Sequence, residues 1–436
     1  MTATADERRL RPGRQQFSLA MAVLLTAPGL ITRITGAHLE PGLGAFLFGL
    51  AIVGAAFLLS WAAEVAQLDL SAGLAIAILA FIAVLPEYAV DLVFAWKGGN
   101  AVEQFGPACQ PPGATGESPC SLALANMTGA NRLLIGIGWS MVVFIAWYQW
   151  RRRGQREDTI TLERTHTVEL SFLTVASLYS LTLPLKRTIT LVDAALLVGL
   201  FVMYTIRVSR APAEEPHLVG PAAYIGGFAV NRRRFAVGLI FVFAALVIVA
   251  CAESFAEALV ETGAEFGVSE FLLVQWLAPL ASETPELLVA GLYAWRLNTN
   301  AGLGTLVSSK VNQWTLLVGS LPVVFAIASG GVSGLPIVAR QREELLLTAA
   351  QSVFAVAVLS SLSISVREAL ALFGLFWAQF IIGAIVPESL HGMELIGVSI
   401  LYLVLAAGII VRNRKSVRAL VHDGFRTPYA ELASQD

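Results

Sequence analysis

Two glutamates carry the sequence's clearest chemical signal. Glu87 and Glu286 each follow a proline, Pro86 and Pro285, deep inside a long apolar stretch. A carboxylate at such depth costs roughly 3 kcal/mol or more unless it faces a polar cavity or a partner. The proline before it removes one helical hydrogen bond and crowds the preceding turn. That frees backbone carbonyls to act as ligands where the chain lines a cavity. One such pair is also explained by a kink beside a neutral, buried glutamate. Two at related places favour a site.

The second copy is the richer one. Ser282-Glu283-Thr284-Pro285-Glu286 places two carboxylates three residues apart, on one face of a helix, beside two hydroxyls. The first copy, Ala83-Val84-Leu85-Pro86-Glu87, is apolar, although Asp91 follows Glu87 by one turn. Close carboxylates without a cation cannot all remain ionised, so at least one holds a proton when no metal is present. This is the physical basis for exchanging metal ions against protons.

The apolar stretch after each Pro-Glu pair is unusually polar. It reads Asn126-Met127-Thr128-Gly129-Ala130-Asn131-Arg132 in the first half and Thr305-Leu306-Val307-Ser308-Ser309-Lys310-Val311-Asn312-Gln313 in the second. Small residues there permit close helix packing, while hydroxyls and amides offer the oxygen ligands that hard cations need. The candidate ion-binding residues are therefore Glu87, Glu286, Glu283, Ser282, Thr284, Ser309, Asn126, Asn131, Gln313 and Lys310, with Glu87 and Glu286 as the metal ligands. Lys310 either snorkels or pairs with Glu283 or Glu286 when metal is absent. A fixed ammonium there disfavours a divalent ion more than a monovalent one, which leans the expectation away from tight Ca²⁺ binding. Glu253 and Glu257 form a second pair, read equally as a proton path or as the lining of a wet vestibule.

No Ser–His pair, His/Cys/Asp metal cluster or phosphate-binding glycine loop accompanies these acids. The expectation is a protein that is not an enzyme or an ATP-driven pump. It has no catalytic residues and no cofactor besides a transported cation.

These residues are positioned by membrane spans. The 436 residues are 56% hydrophobic and only 14% charged, against about a quarter charged in soluble domains. Apolar segments of the length a bilayer requires alternate with short Arg-rich connectors. Twelve spans are expected, from Phe17–Ile34 to Leu395–Val411, the Arg-rich start leading into a first span that stays rather than a cleaved signal. The N-terminus, the connectors Arg151–Arg164 and Arg207–Arg234, and the tail after Arg412 concentrate the cations on one side, which places both termini in the cytoplasm. Lys186, Arg187, Arg340 and Arg342 run against that bias. The expected setting is a bacterial-type plasma membrane. Lipid, small inorganic cations and protons are the expected partners, and a net charge of −2 gives no field for nucleic acid. The outward connector Lys97–Cys120 holds Cys109 and Cys120, which either pair as a disulfide or remain free thiols.

An internal repeat organises the spans. Val192-Asp193-Ala194 through Gly199-Leu200-Phe201 answers Arg367-Glu368-Ala369 through Gly374-Leu375-Phe376 at a constant offset of 175, as Glu169 answers Glu344. Pro86-Glu87 answers Pro285-Glu286 at 199, the difference being about the length of the outward loop. The expected fold is thus an all-α polytopic membrane protein of two five-helix units with one extra helix at each end. An odd number of spans per unit inverts the second relative to the first. The boundaries expected are 1–42 for the N-terminus and first span, 43–206 and 235–386 for the units, 207–234 for a cytoplasmic linker, and 387–436 for the last span and tail.

With these motifs in place, the chain resembles the cation/calcium antiporter superfamily, the sodium/calcium and proton/calcium exchangers. Their two repeats carry a Gly-Thr-Ser-x-Pro-Glu-type helix followed by a Gly-Ser-Asn-x-x-Asn/Asp helix. Pro86-Glu87 and Pro285-Glu286 match the first motif, while Gly129-Ala130-Asn131 and Ser308-Ser309-Lys310 occupy the second. Ala83-Val84, Ser282-Glu283, Leu134, Gln313 and Lys310 depart from it, so Glu87, Glu286 and Ser309 are the residues that carry over. The resemblance implies a secondary active antiporter moving Na⁺ or Ca²⁺ against H⁺ by alternating access, with Na⁺/Ca²⁺ exchange as the alternative. From another class, a cation channel or an ion-binding sensor without exchange would show no coupled flux.

Overall fold

The computed structural model describes residues 12–69, 85–114, 117–211, 218, 220–267 and 269–433. Among them run twelve long helices: α1 (Pro12–Thr35), α2 (Pro41–Ala66), α3 (Leu85–Phe105), α4 (Pro119–Arg152), α5 (Thr167–Ser180), α6 (Leu191–Val208), α7 (Val230–Phe266), α8 (Glu270–Trp295), α9 (Thr299–Ala328), α10 (Ala339–Leu359), α11 (Val366–Ile385) and α12 (His391–Arg412). Nine of these described helices are long and apolar enough to cross a membrane. The others are α3, α8 and α10, and each carries charged residues within the helix. The part of the third expected span before Leu85, including Ala83 and Val84, lies outside the described residues.

Burial sorts the spans into layers. The apolar stretches of α4 and α9 are 78% and 72% buried, whereas those of α1, α11 and α12 are 17%, 22% and 22%. The polar helices α4 and α9 thus lie at the centre, while α1, α11 and α12 lie at the periphery. One apolar cluster joins α1, α2 and α7 to faces of α3 and α8, and a second fills the space among α4, α5, α6, α9, α10, α11 and α12.

Connector pairing shows the inversion directly. The strand β1 (Thr159–Thr161), between α4 and α5, pairs antiparallel with β4 (Ser363–Ser365), between α10 and α11. The strand β2 (Thr188–Ile189), between α5 and α6, pairs with β3 (Leu335–Pro336), between α9 and α10. Each sheet therefore joins an α4–α5-type connector of one unit to an α5–α6-type connector of the other. That is possible only if equivalent connectors lie on opposite faces. The matching motifs at offset 175 prove to be helix caps: Thr190 with Asp193 starts α6, and Ser365 with Glu368 starts α11, each as a reciprocal capping box.

Several expectations are sharpened. Cys109 and Cys120 form a disulfide, and Cys251 is buried and free. The connector between α3 and α4 begins later than Lys97, because α3 continues to Phe105. Two cations that defy the charge bias are paired: Lys186 with Asp193, and Arg340 with Glu117 at 3.2 Å. The tail is not extended; α13 (Arg414–Phe425) folds back against α5.

Asp69, just beyond α2, accepts bonds from Arg233 at 2.7 and 2.9 Å and from Arg234 at 3.0 Å, fastening α2 to the start of α7. Hydrogen bonding to the Arg233 guanidinium holds the Asp69 carboxyl below its ordinary 3.8. A depressed folded value means that the stabilisation is complete above the ordinary value and fades as pH falls through the lowered one. Asp69→Asn is expected to cost about 0.5–1 kcal/mol at neutral pH. Thermal melts in detergent should show the same deficit at pH 7 and pH 5, and a shrinking one as the pH is taken further below 3.8.

Candidate ion-binding site

Glu87 on α3 and Glu283 and Glu286 on α8 converge from opposite units, with one carboxylate oxygen of each within 4.8 Å of the others. Glu87 and Glu283 are fully buried and Glu286 is partly exposed. The Ser282 hydroxyl donates to the Ala278 and Pro279 carbonyls of its own helix, at 3.3 and 3.4 Å, and lies beside the Glu87 carboxylate. Glu283 accepts a hydrogen bond from the Gln313 amide of α9. One oxygen of each of the three glutamates remains without a hydrogen-bond partner. Oxygens aimed at one another away from water are a ligand set for a hard cation or a trap for protons.

The prolines act differently from expectation. α8 runs as one helix from Glu270 to Trp295 through Pro279 and Pro285, so it is not broken at the site. Each proline nevertheless leaves the carbonyl four residues earlier without its helical donor. For Pro279 that carbonyl belongs to Gln275, and it faces the Cα of Gly129 on α4 so closely that a Cβ there would overlap it. The Gln275 amide also donates to the Thr128 hydroxyl at 3.2 Å. Small residues on α4 therefore seat α8, and with it the two glutamates.

Lys310 corrects the sequence reading. It is fully buried, yet its ammonium donates to the backbone oxygen and side-chain Oδ1 of Asn131, at 2.7 and 2.8 Å, rather than to a carboxylate. Asn131 and Lys310 occupy equivalent motif positions in the two units, so their contact lies where the repeats cross. Arg132, one residue on, is buried in an ion pair with Glu344 at 2.8 Å and stacks over Trp276 at 4.9 Å. The Glu169/Glu344 repeat was the only sequence sign of this pair. α4 and α9 each contain a π turn at matching places, Leu134–Trp139 and Gln313–Leu317, which no sequence signal announces. Such turns concentrate at functional sites. Here the second one opens with Gln313.

The other candidates are placed as follows. Thr284 turns its hydroxyl to the Leu280 carbonyl of its own helix and is not brought to the cluster. Asn126 lies against buried Asp91, one turn beyond Glu87. Ser309 is buried beside Lys310. Glu253 and Glu257, on α7, pair with Arg33 at 3.6 Å and Lys97 at 2.8 Å, and both are about half exposed.

Inverted five-helix units with buried carboxylates meeting between them define a membrane carrier for cations. A family model described as sodium/calcium exchanger protein matches residues 41–210 and 236–384. The crystal structure of the H⁺/Ca²⁺ exchanger CAX is 41% identical, with a TM-score of 0.84, covering 97% of this chain and 99% of that one. The crystal structure of the selenium-substituted Ca²⁺/H⁺ antiporter protein YfkE, 13% identical, shares the fold with a TM-score of 0.56, covering 90% and 99%. No curated protein matches the chain. The chain belongs to the sodium/calcium exchanger protein family, and it is a membrane antiporter of small cations.

Gly129→Val tests the seating of α8. Overpacking at such a contact costs about 1–3 kcal/mol. The variant should melt earlier and lose cation exchange, whereas Gly199→Val, at a glycine with open space around it, should do neither.

Proposed function

We propose that the chain exchanges Ca²⁺ against H⁺, one cluster serving both ions in turn. The observation that carries this reading is the convergence of Glu87, Glu283 and Glu286 within 4.8 Å. Three carboxylates at that spacing demand compensation, which a divalent ion or protons supply. An occupied state and a protonated state therefore exclude each other, and that exclusion is the coupling. The hydroxyl of Ser282 and the amide of Gln313 would complete the oxygen set. Lys310 is held by Asn131, which weighs against the expectation that its ammonium fills the metal's place.

Access would alternate by movement of α1, α2 and α7 against the central helices, since α3 and α8 lie on the boundary of the two apolar clusters. The units responsible are residues 43–206 and 235–386. The tail and N-terminus are proposed to lie in the cytoplasm of a bacterial-type plasma membrane.

Ca²⁺-driven proton flux in proteoliposomes tests the reading. Glu87→Gln, Glu283→Gln and Glu286→Gln should each fall to the level of empty liposomes while inserting normally. Near-normal flux in the Glu87 or Glu286 variant would remove that residue from the ion path. An Na⁺ gradient that drives Ca²⁺ movement without any proton flux would replace H⁺ coupling by Na⁺ coupling.

Lys310→Asn removes the side-chain amine that Asn131 holds between the repeats. It should raise apparent Ca²⁺ affinity and alter the pH dependence of flux between pH 6 and 9. An unchanged profile with a lower melting temperature would leave Lys310 a purely structural strut between the repeats.

Orientation is read separately. In a Cys109→Ser, Cys120→Ser background, a cysteine replacing exposed Ala114 should react with an impermeant thiol reagent on intact cells. Reaction only after the membrane is opened would reverse the topology.

A further inference from the structure

The tail builds a second site unrelated to the carboxylates. α12 leaves its lipid-facing stretch, with Leu401, Val404 and Val411 exposed, at Arg412, and α13 begins two residues later. The inner face of α13 is fixed by three independent contacts. Ser171 donates to the Leu420 carbonyl at 3.0 Å, and its side chain leaves no room for a Cβ at Gly424. Arg164 pairs with Asp423 at 2.6 Å. Arg207 donates to the carbonyls of Gly424 and Thr427. Ser171 lies in the second turn of α5 and Arg207 in the last turn of α6. α13 is therefore held at the level where the spans end, which is the depth of lipid headgroups.

Its outer face is cationic and partly apolar. Arg414, Arg418 and Arg426 are exposed, as are Val421 and Phe425, and with Val417 they line a cleft of about 630 Å³. Among the described residues, no acidic side chain lines it. Hydrogen bonding by guanidinium groups suits a phosphate oxygen. The apolar wall, continuous with the exposed side of α12, suits an acyl chain and has no use for a free inorganic anion.

We propose that the cleft between the end of α12 and the outer face of α13 binds the headgroup and upper acyl chain of an anionic phospholipid in the adjoining leaflet. A solvated basic helix would also be cationic, but it would not need its inner face pinned by Ser171, Arg164 and Arg207 nor an apolar wall open toward the bilayer. The proposal stands apart from the identity of the transported ion.

The test uses the full chain in detergent, with palmitoyl-oleoyl phosphatidylglycerol titrated in and retained lipid counted by native mass spectrometry. Palmitoyl-oleoyl phosphatidylcholine and inorganic phosphate are the comparisons. Each arginine near an anionic lipid contributes roughly a fivefold change in occupancy. R414Q/R418Q/R426Q should therefore weaken phosphatidylglycerol binding on the order of a hundredfold. Val421→Asp, which places an anion in the wall, should weaken it in the same direction. R151Q/R152Q/R153Q, on exposed arginines of another connector, should bind like the wild type. Unchanged affinity in the cleft variants, equal loss in the connector variant, equal retention of phosphatidylcholine, or displacement by inorganic phosphate at matching concentration would each overturn the proposal.

Discussion

Three carboxylates held within a few ångströms of one another, two of them fully buried, repel each other and are poorly solvated, so the protein can hold them only in company. At least part of their charge has to be cancelled by a proton or a metal ion at every moment. The rest of the architecture makes that arrangement reachable from opposite units. Glu87 comes from α3 and Glu283 and Glu286 from α8, and α8 can approach only because Gly129 on α4 admits the Gln275 carbonyl. A proline-freed acceptor and a residue without a side chain thus meet at the point that sets the height of the acids.

Inversion brings equivalent residues face to face, and identical side chains make poor partners there. Two lysines would repel. The sequence breaks the symmetry where the repeats cross, with Asn131 in one unit accepting from Lys310 in the other. The same divergence gives the second unit an extra carboxylate, Glu283, and a Gln313 amide to hold it. Arg132 extends the pattern outward, its charge absorbed by Glu344, Gln379 and the face of Trp276. Buried cations here fix the crossing of α4 with its neighbours, because a misplaced helix would strand an unpaired charge in a medium that cannot solvate it.

Much of this was legible in the sequence for a simple reason. Membrane burial suppresses charge so completely that each remaining acid stands out, and a repeated Pro-Glu pair is hard to explain twice by accident. The prominence of Glu87 and Glu286 follows from that alone, and the repeat offsets add the inversion. The offset of 175 was visible too, although its meaning as a pair of helix caps at Thr190 and Ser365 needed the chain's path. What the sequence hid depends on side-chain direction. Thr284 sits between two site glutamates in the chain yet turns to its own helix, since neighbours in a helix point some 100° apart. Lys310 looked like a partner for carboxylates because charge suggests charge, and an asparagine on the opposite repeat leaves no pattern to find. The π turns at Leu134 and Gln313 shift the helical phase by a residue, which periodicity in a uniformly apolar stretch cannot register.

A carrier also needs surfaces that hold and surfaces that slip, and the two are chemically distinct here. The central helices are tied by directional contacts: Lys310 to Asn131, Trp314 to Ser352, Ser140 to the Ala369 carbonyl, and the two connector sheets. The layer of α1, α2 and α7 instead meets α3 and α8 through apolar side chains such as Val90, Phe94, Val274 and Phe255. Its cross-layer ion pair, Lys97–Glu257, stands on half-exposed groups that water can replace. Apolar contact is non-directional and tolerates sliding at little loss, whereas a displaced buried hydrogen bond loses its partner outright. The boundary between those two kinds of contact passes through the helices that carry Glu87, Glu283 and Glu286. Motion along it would therefore change what the carboxylates face while leaving their mutual spacing to the helices that hold them.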